Sequence, residues 1–321
     1  MTIEEIYKLA VKMGVEADPR DKDAIQKILD KTKKEYEKLD KEEKQEFDTE
    51  KLNNPFGDTR ILTGDLKKNI RTVMSGIDIE PAGILLADRL NEKGENIDLI
   101  ISHHPEGVAL ANLALVMGVQ ADLSHKFGVP INVAEGLMAK RIAEVARGIN
   151  PINHNEAVDM AKILGLAFMC THTIADNLAY KFIQDKMDKD KPETVDDVIK
   201  IIKGIPEYKE ALKINAGPMI FAGSGDRRAG KVAALGFTGG TSGPKEIYER
   251  LSNAGVGTVI AMHIKEDERT EAEKYNINIV IAGHIASDSL GMNIFLDKLE
   301  EKGIKIIPMG GFIRISRNKN K

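Results

Sequence analysis

The chain has 321 residues, 42% hydrophobic, with a net charge of −4 and a single cysteine, Cys170. That length allows two domains or one elaborated α/β unit with a large core, and one cysteine excludes both a disulfide framework and a thiolate zinc site within the chain. The opening MTIEEIYKLAVKM has no signal-peptide apolar region, and no apolar run approaches the roughly 18–20 residues of a membrane span, so a cytoplasmic protein is expected.

Residues 1–50 hold 11 Lys/Arg against 15 Asp/Glu, which leaves the remainder balanced and gives no ground for a nucleic-acid or membrane partner. Ile6, Leu9, Ala10 and Met13, then Ile25, Ile28 and Leu29, are spaced as two helices with Pro19 between them. Residues 1–52 read as a charged helical N-terminal extension with a solvated face, or else a partner-docking arm, ahead of an α/β domain at 53–321. After a loop at Asn53–Asp58 the pattern predicts a strand at Thr72–Ile79, a proline-opened helix at Pro81–Lys93 and a strand at Ile97–Ser102. A helix at Ala109–Val119, a short strand at Val129–Val133 and helices at Gly136–Arg147 and Asn155–Leu164 follow. Strand Leu166–Thr171 precedes a helix at Asn177–Met187, and the charge run Asp185–Pro192 reads as a solvated loop. The last third predicts helices near Val195–Ile202, Tyr208–Ile214, Pro244–Ala254 and Leu290–Lys302. Its strands are Val232–Phe237, Thr258–Met262, Ile277–Ala282 and Ile304–Pro308. Alternation of this kind argues for an α/β fold.

Three of these strands end within one residue of a histidine that has a second histidine or an aspartate close by in sequence. The segments are Asp98-Leu-Ile-Ile-Ser-His-His-Pro105, Leu166-Ala-Phe-Met-Cys-Thr-His-Thr-Ile-Ala-Asp176 and Ile279-Val-Ile-Ala-Gly-His-Ile-Ala-Ser-Asp288. Histidine and aspartate are divalent-metal ligands, and strand ends collected on one sheet edge would bring His103, His104, His172 and His284 together. In the last two segments histidine and aspartate are four apart, the spacing that puts both on one helical face. Pro105 discourages the strand from continuing, so the adjacent His103 and His104 need not point to opposite faces. Glu106 beside them is a candidate general base. His125 reads as a surface or capping residue, and His154 and His263 as pocket candidates. Gly225-Asp-Arg-Arg-Ala-Gly-Lys231 has P-loop spacing, but Val232 stands where Ser or Thr should hold Mg²⁺, and a strand follows instead of a helix. Gly236-Phe-Thr-Gly-Gly-Thr-Ser-Gly243 is the better phosphate or oxyanion candidate, against a tight turn and helix cap.

With Ser75-Gly-Ile-Asp-Ile-Glu-Pro81 and Gly255-Val-Gly-Thr-Val-Ile-Ala261, these segments resemble the NGG-interacting-factor-three-like family, often labelled GTP cyclohydrolase type 2 homologues. The resemblance spans roughly residues 70–310. It implies an interlaced, two-lobed α/β fold and a dinuclear centre holding two divalent ions, Zn, Fe, Mn or Ni. The implied ligands are His103, His104, Asp176, His284 and Asp288, with His172 adjoining. It also implies a homo-oligomer, a ring-like hexamer. The family's last ligand is Glu, here Asp288, one methylene shorter. Its early Trp-Asp-Asn motif is replaced by Asn54-Pro-Phe-Gly-Asp-Thr59, and the 69 residues from His103 to His172 point to an insertion near 107–155. The leading expectation is a metal-dependent hydrolase acting through an activated water on a small, nucleotide-like molecule. His172, or Glu106, would then carry the proton. The alternative is a non-catalytic metal-binding scaffold that acts through protein partners.

Overall fold

A computed structural model describes residues 1–318. The N-terminal part forms α1 (Ile3–Ala17), α2 (Lys22–Lys38), α3 (Lys41–Glu46) and a 3-10 turn at Thr49–Leu52. Then come β1 (Thr59–Thr63), β2 (Thr72–Gly76), α4 (Pro81–Glu92) and β3 (Leu99–Ser102). Helices α5 (Gly107–Ala111), α6 (Leu113–Val116), α7 (Val119–Lys126), α8 (Ile131–Ile149) and α9 (Glu156–Ile163) lead to β4 (Phe168–Thr171). The next helices are α10 (His172–Asp190), α11 (Val195–Lys203) and α12 (Pro206–Leu212). The remainder is β5 (Met219–Ala222), β6 (Lys231–Gly236), α13 (Ile247–Asn253), β7 (Val256–Ala261), α14 (Glu266–Lys274), β8 (Asn278–Ile281), α15 (His284–Glu300) and β9 (Lys305–Met309). This is the α/β class expected.

Two sheets share one plan. The first has the order β1-β4-β3-β2-β9 and the second β5-β8-β7-β6. In each, every neighbouring pair is parallel except the one with the edge strand β1 or β5. β4 and β8, the strands beside those edges, each pass into a helix that opens with histidine. The chain interlaces the two lobes, because β9 returns to the first sheet after the second is complete.

Alternation within β3 shows why the strand reads as continuous apolar sequence. Leu99 and Ile101 join the core under α1, α10 and α15, whereas Ile100 joins the core under α4 and α9. A parallel sheet covered on both faces needs apolar side chains at both parities. Helix α1 carries a capping box between Thr2 and Glu5 and buries Ile3, Ile6, Ala10 and Gly14, its apolar face, against α10. Helices α10 and α15 pack so closely that a Cβ on Gly291 would lie 2.0 Å from the Ala175 carbonyl oxygen. That contact sets the distance between the two histidine-bearing helix starts.

Some elements differ from the sequence expectation. Val129–Val133 is not a strand: Gly128 (φ +107°) ends the turn after α7, and Ile131 already begins α8. A short β-branched run has no periodicity of its own with which to resist that. The charge run from Asp185 is not a loop either. It is the last turns of α10, held by Lys181–Asp185 and Lys186–Asp190 pairs at 2.7 and 3.1 Å, until Lys191 turns left-handed (φ +46°) before Pro192. Among the described residues, no helix is long and apolar enough to cross a membrane.

Candidate metal centre

The two sheets point strand ends at each other. β3 delivers His103 and His104, β4 delivers His172 and Asp176 on the first turns of α10, and β8 delivers His284 and Asp288 on the first turns of α15. Gly283 at the β8–α15 switch has φ +111°, and a Cβ there would stand 2.5 Å from the Ala216 carbonyl oxygen. Only glycine makes that turn without strain. The doublet converges because regular pairing ends at Ser102. The N–H groups of His103 and His104 donate to the carbonyls of Gly76 and Ile77, leaving the two rings 5.2 Å apart.

Asp288 is the hub. Its Oδ1 lies 3.4 Å from His103 Nε2, while its Oδ2 lies 3.6 Å from His104 Nε2 and 3.4 Å from His284 Nε2. His103 Nε2 is also 3.4 Å from Asp176 Oδ1. Three sets of donor atoms lie within 4.8 Å of one another: His103, Asp176 and Asp288; His104, His284 and Asp288; and His103, His104 and His172. The first two share Asp288. Both Asp288 oxygens and both His103 ring nitrogens are buried without a hydrogen-bond partner. Buried polar atoms are ordinarily satisfied, so the donor set of this group fits a divalent cation.

Two further carboxylates stand behind the histidines. Asp58 Oδ2 is 2.8 Å from His172 Nδ1 and also accepts from Thr173 Oγ1 at 2.6 Å. Asp78 Oδ1 is 2.6 Å from His104 Nδ1. Each fixes its imidazole through Nδ1 and leaves Nε2 for the cluster, the arrangement that orients metal-binding histidines. Neither aspartate is marked by sequence: Asp58 sits in a loop before an edge strand, and Asp78 follows β2 with no spacing that points to a ligand.

Three buried carboxylates face the imidazoles here. Asp58, Asp176 and Asp288 are at most 5% exposed, and among the described residues the adjoining cavity is lined by no Lys or Arg. Burial lowers His103 to about 4, which keeps the ring neutral and able to bind metal. Burial also works against a charged His172, but Asp176, Asp58 and Asp288 outweigh it and lift that ring to about 9. Asp176 is pushed well up by burial against the opposing pull of His172. Asp288 is held low despite burial, by His103, His284 and His104.

His263 follows β7 with its ring 5.0 Å from that of His284, beside the cluster. His125 and His154 are elsewhere, their rings engaged by the carbonyls of Val129 and Ile149. Glu106 caps α5 outside the cavity wall. Burial, with Glu80, Glu156 and Asp78, raises its carboxyl to about 7. Lys231, the last residue of the P-loop spacing, donates to the Phe127 carbonyl at 2.7 Å and opens β6. A cavity of about 90 Å³ runs from His103, His172 and His284 to the glycine-rich loop after β6.

The crystal structure of an NIF3 superfamily protein from Sphaerobacter thermophilus matches with a TM-score of 0.70 at 28% identity, covering 79% of this chain and 91% of that one. A Bacillus cereus protein related to NIF3 matches at a TM-score of 0.40 and 11% identity, covering 78% and 91%. Reduced HcgD from Methanocaldococcus jannaschii matches at 0.43 and 14%, covering 77% and 87%. No family model and no curated protein matches the sequence.

Proposed function

We propose that this chain, which belongs to the NIF3 (NGG-interacting-factor-three-like) superfamily on the Sphaerobacter likeness, is a metal-dependent hydrolase of small molecules. The observation that carries this reading is Asp288, whose two unpartnered oxygens face different histidine sets, the disposition of a carboxylate bridging two ions. His103, His104, Asp176, His284 and Asp288 would hold them, and the nitrogen and oxygen donors suit Zn, Fe, Mn or Ni. Divalent ions bound there would lower the pKa of a water and polarise the scissile bond.

The chain's own residues supply the rest. Asp58 holds His172 through Nδ1, so Nε2 is the atom that gives up and recovers a proton in the cavity. Asp78 does the same orienting work for His104, whose side chain, at 30% exposure, stands at the solvent side of the buried His103. Glu106 lies outside the cavity wall, so we assign proton transfer to His172. A cytoplasmic location and a homo-oligomeric ring, a hexamer by the resemblance, belong to the same proposal.

The test offers a panel of small phosphoesters, amides and nucleotides to metal-loaded and metal-stripped protein. Metal-dependent turnover that falls about a hundredfold or more in His172→Gln supports the reading. Loaded protein that hydrolyses nothing and shows no exchangeable water on the metal supports the scaffold alternative.

A further inference from the structure

Between β6 and α13 the chain runs Gly236-Phe-Thr-Gly-Gly-Thr-Ser-Gly243 through the wall of the cavity that His103 and His284 also line. Three of its carbonyls accept from side chains outside the loop. Gln120 Nε2, on α7, donates to Gly239 and Thr241 at 2.7 and 2.6 Å, and Arg141 Nε, on α8, donates to Ser242 at 3.0 Å. At its root Thr238 Oγ1 donates to Asn177, the residue after Asp176, at 2.6 Å.

In a trans peptide the N–H points opposite to the C=O. The N–H groups of Gly240 and Ser242 therefore point away from Gln120 Nε2 and that of Gly243 away from Arg141 Nε, and among the described residues the three donate to nothing. The loop's other flank is the histidine cluster: Ser242 Oγ is 3.4 Å from His263 Nδ1, and His263 packs on His284. Gly239 and Gly240 have φ of +96° and +79°, the backbone that lets neighbouring N–H groups converge. A plain turn would spend these donors within itself, but only Thr241 N–H does so, to Gly239 O. N–H groups that reach no acceptor in the protein and lie in a cavity wall are open to an anionic ligand.

We propose that this loop is the oxyanion subsite of the centre. It takes a phosphoryl group of the substrate on the N–H groups of Gly240, Ser242 and Gly243, with Gln120 as the positioning residue. The proposal rests on the hydrolytic reading of the same cavity, and it makes the substrate a small phosphorylated molecule. Helices α7 and α8 then serve the site by holding the loop from behind.

The experiment titrates inorganic phosphate into the full chain, as purified with its metal and after chelation, and follows amide exchange in the same samples. The expected result is phosphate binding in both states, with slowed exchange at Gly240, Ser242 and Gly243. Gln120→Leu should weaken binding about tenfold with metal content unchanged, and lower Tm somewhat because the Gly239 and Thr241 carbonyls lose their donor. Phosphate that binds only with metal and leaves loop exchange unaltered overturns the assignment, as does wild-type affinity in Gln120→Leu. If that variant does not fold, the wild-type exchange data decide. Protein that carries no metal contradicts the hydrolase reading, while the chelated arm still decides the loop.

Discussion

Asp58 and Asp288 lie at opposite ends of the same chain of contacts: Asp58 holds His172, and Asp288 faces His103, His104 and His284. In metal-free protein Asp176 and Asp58, which together raise His172 against its burial, make stability depend on pH. His172 titrates at about 9 in the fold against 6.5 as a free side chain, so its contribution is complete below 6.5 and is lost as pH rises through 9. His103, lowered to about 4, has the opposite sign: its cost appears as pH falls from 6.5 towards 4. Melting of chelated protein should therefore show Tm falling between pH 6.5 and 9, with a clearly shallower fall in Asp58→Asn. Identical slopes would remove Asp58 from the account. The histidines of the cluster are legible in sequence because each ends an apolar strand, and His172 and His284 repeat one four-residue spacing to aspartate. Asp58 and Asp78 are not, because an orienting carboxylate is defined by position in space and has no sequence period.

At the scale of elements, the centre depends on how closely α10 approaches α15. A methyl group on residue 291 would meet the Ala175 carbonyl oxygen at 2.0 Å and its carbon at 2.6 Å, backbone that cannot swing aside. Gly291→Ala should destabilise the protein by about 1–3 kcal/mol and loosen metal binding, since Asp176 and Asp288 ride on the helices being pushed apart. A calorimetric melt and a metal titration of the same variant would check both effects, and unchanged affinity would mean the helix spacing does not set the site. Strands buried on both faces, such as β3 and β8, announce themselves as apolar runs. The edge strand β5, with Met219 53% exposed, lacks that pattern and is absent from the sequence expectation. Helix α14, Glu266–Lys274, is absent from it too, because it buries only Glu268 and Ala272 and so shows almost no apolar face.

The whole molecule is closed by its C-terminal part, which returns through β9 to the first sheet and then lies along α15. Arg317 pairs with the fully buried Glu207 at 2.8 Å, and Arg314 pairs with Asp297 at 2.7 Å. Asn293 Nδ2 also donates to Glu207, at 2.9 Å. Arg317→Met should cost about 2 kcal/mol, less than a fully buried pair because the arginine is 32% exposed, through the charge left behind on Glu207. Denaturant unfolding would measure it, and a double variant with Glu207→Gln should recover much of the loss. A bound metal acts on the same global equilibrium, since a ligand held only by the folded state raises its stability. Chelation should therefore lower Tm, and added metal should restore it.

The proposed function has Asp288 join two ions in one centre. Elemental analysis of gently purified wild-type protein and of Asp288→Asn, prepared side by side, tests it most directly. The expected result is about two divalent ions per chain in the wild type and no more than about one in the variant, since an amide brings no charge to hold two cations together. Wild-type protein without bound metal, or a variant that keeps the same metal content, would contradict it.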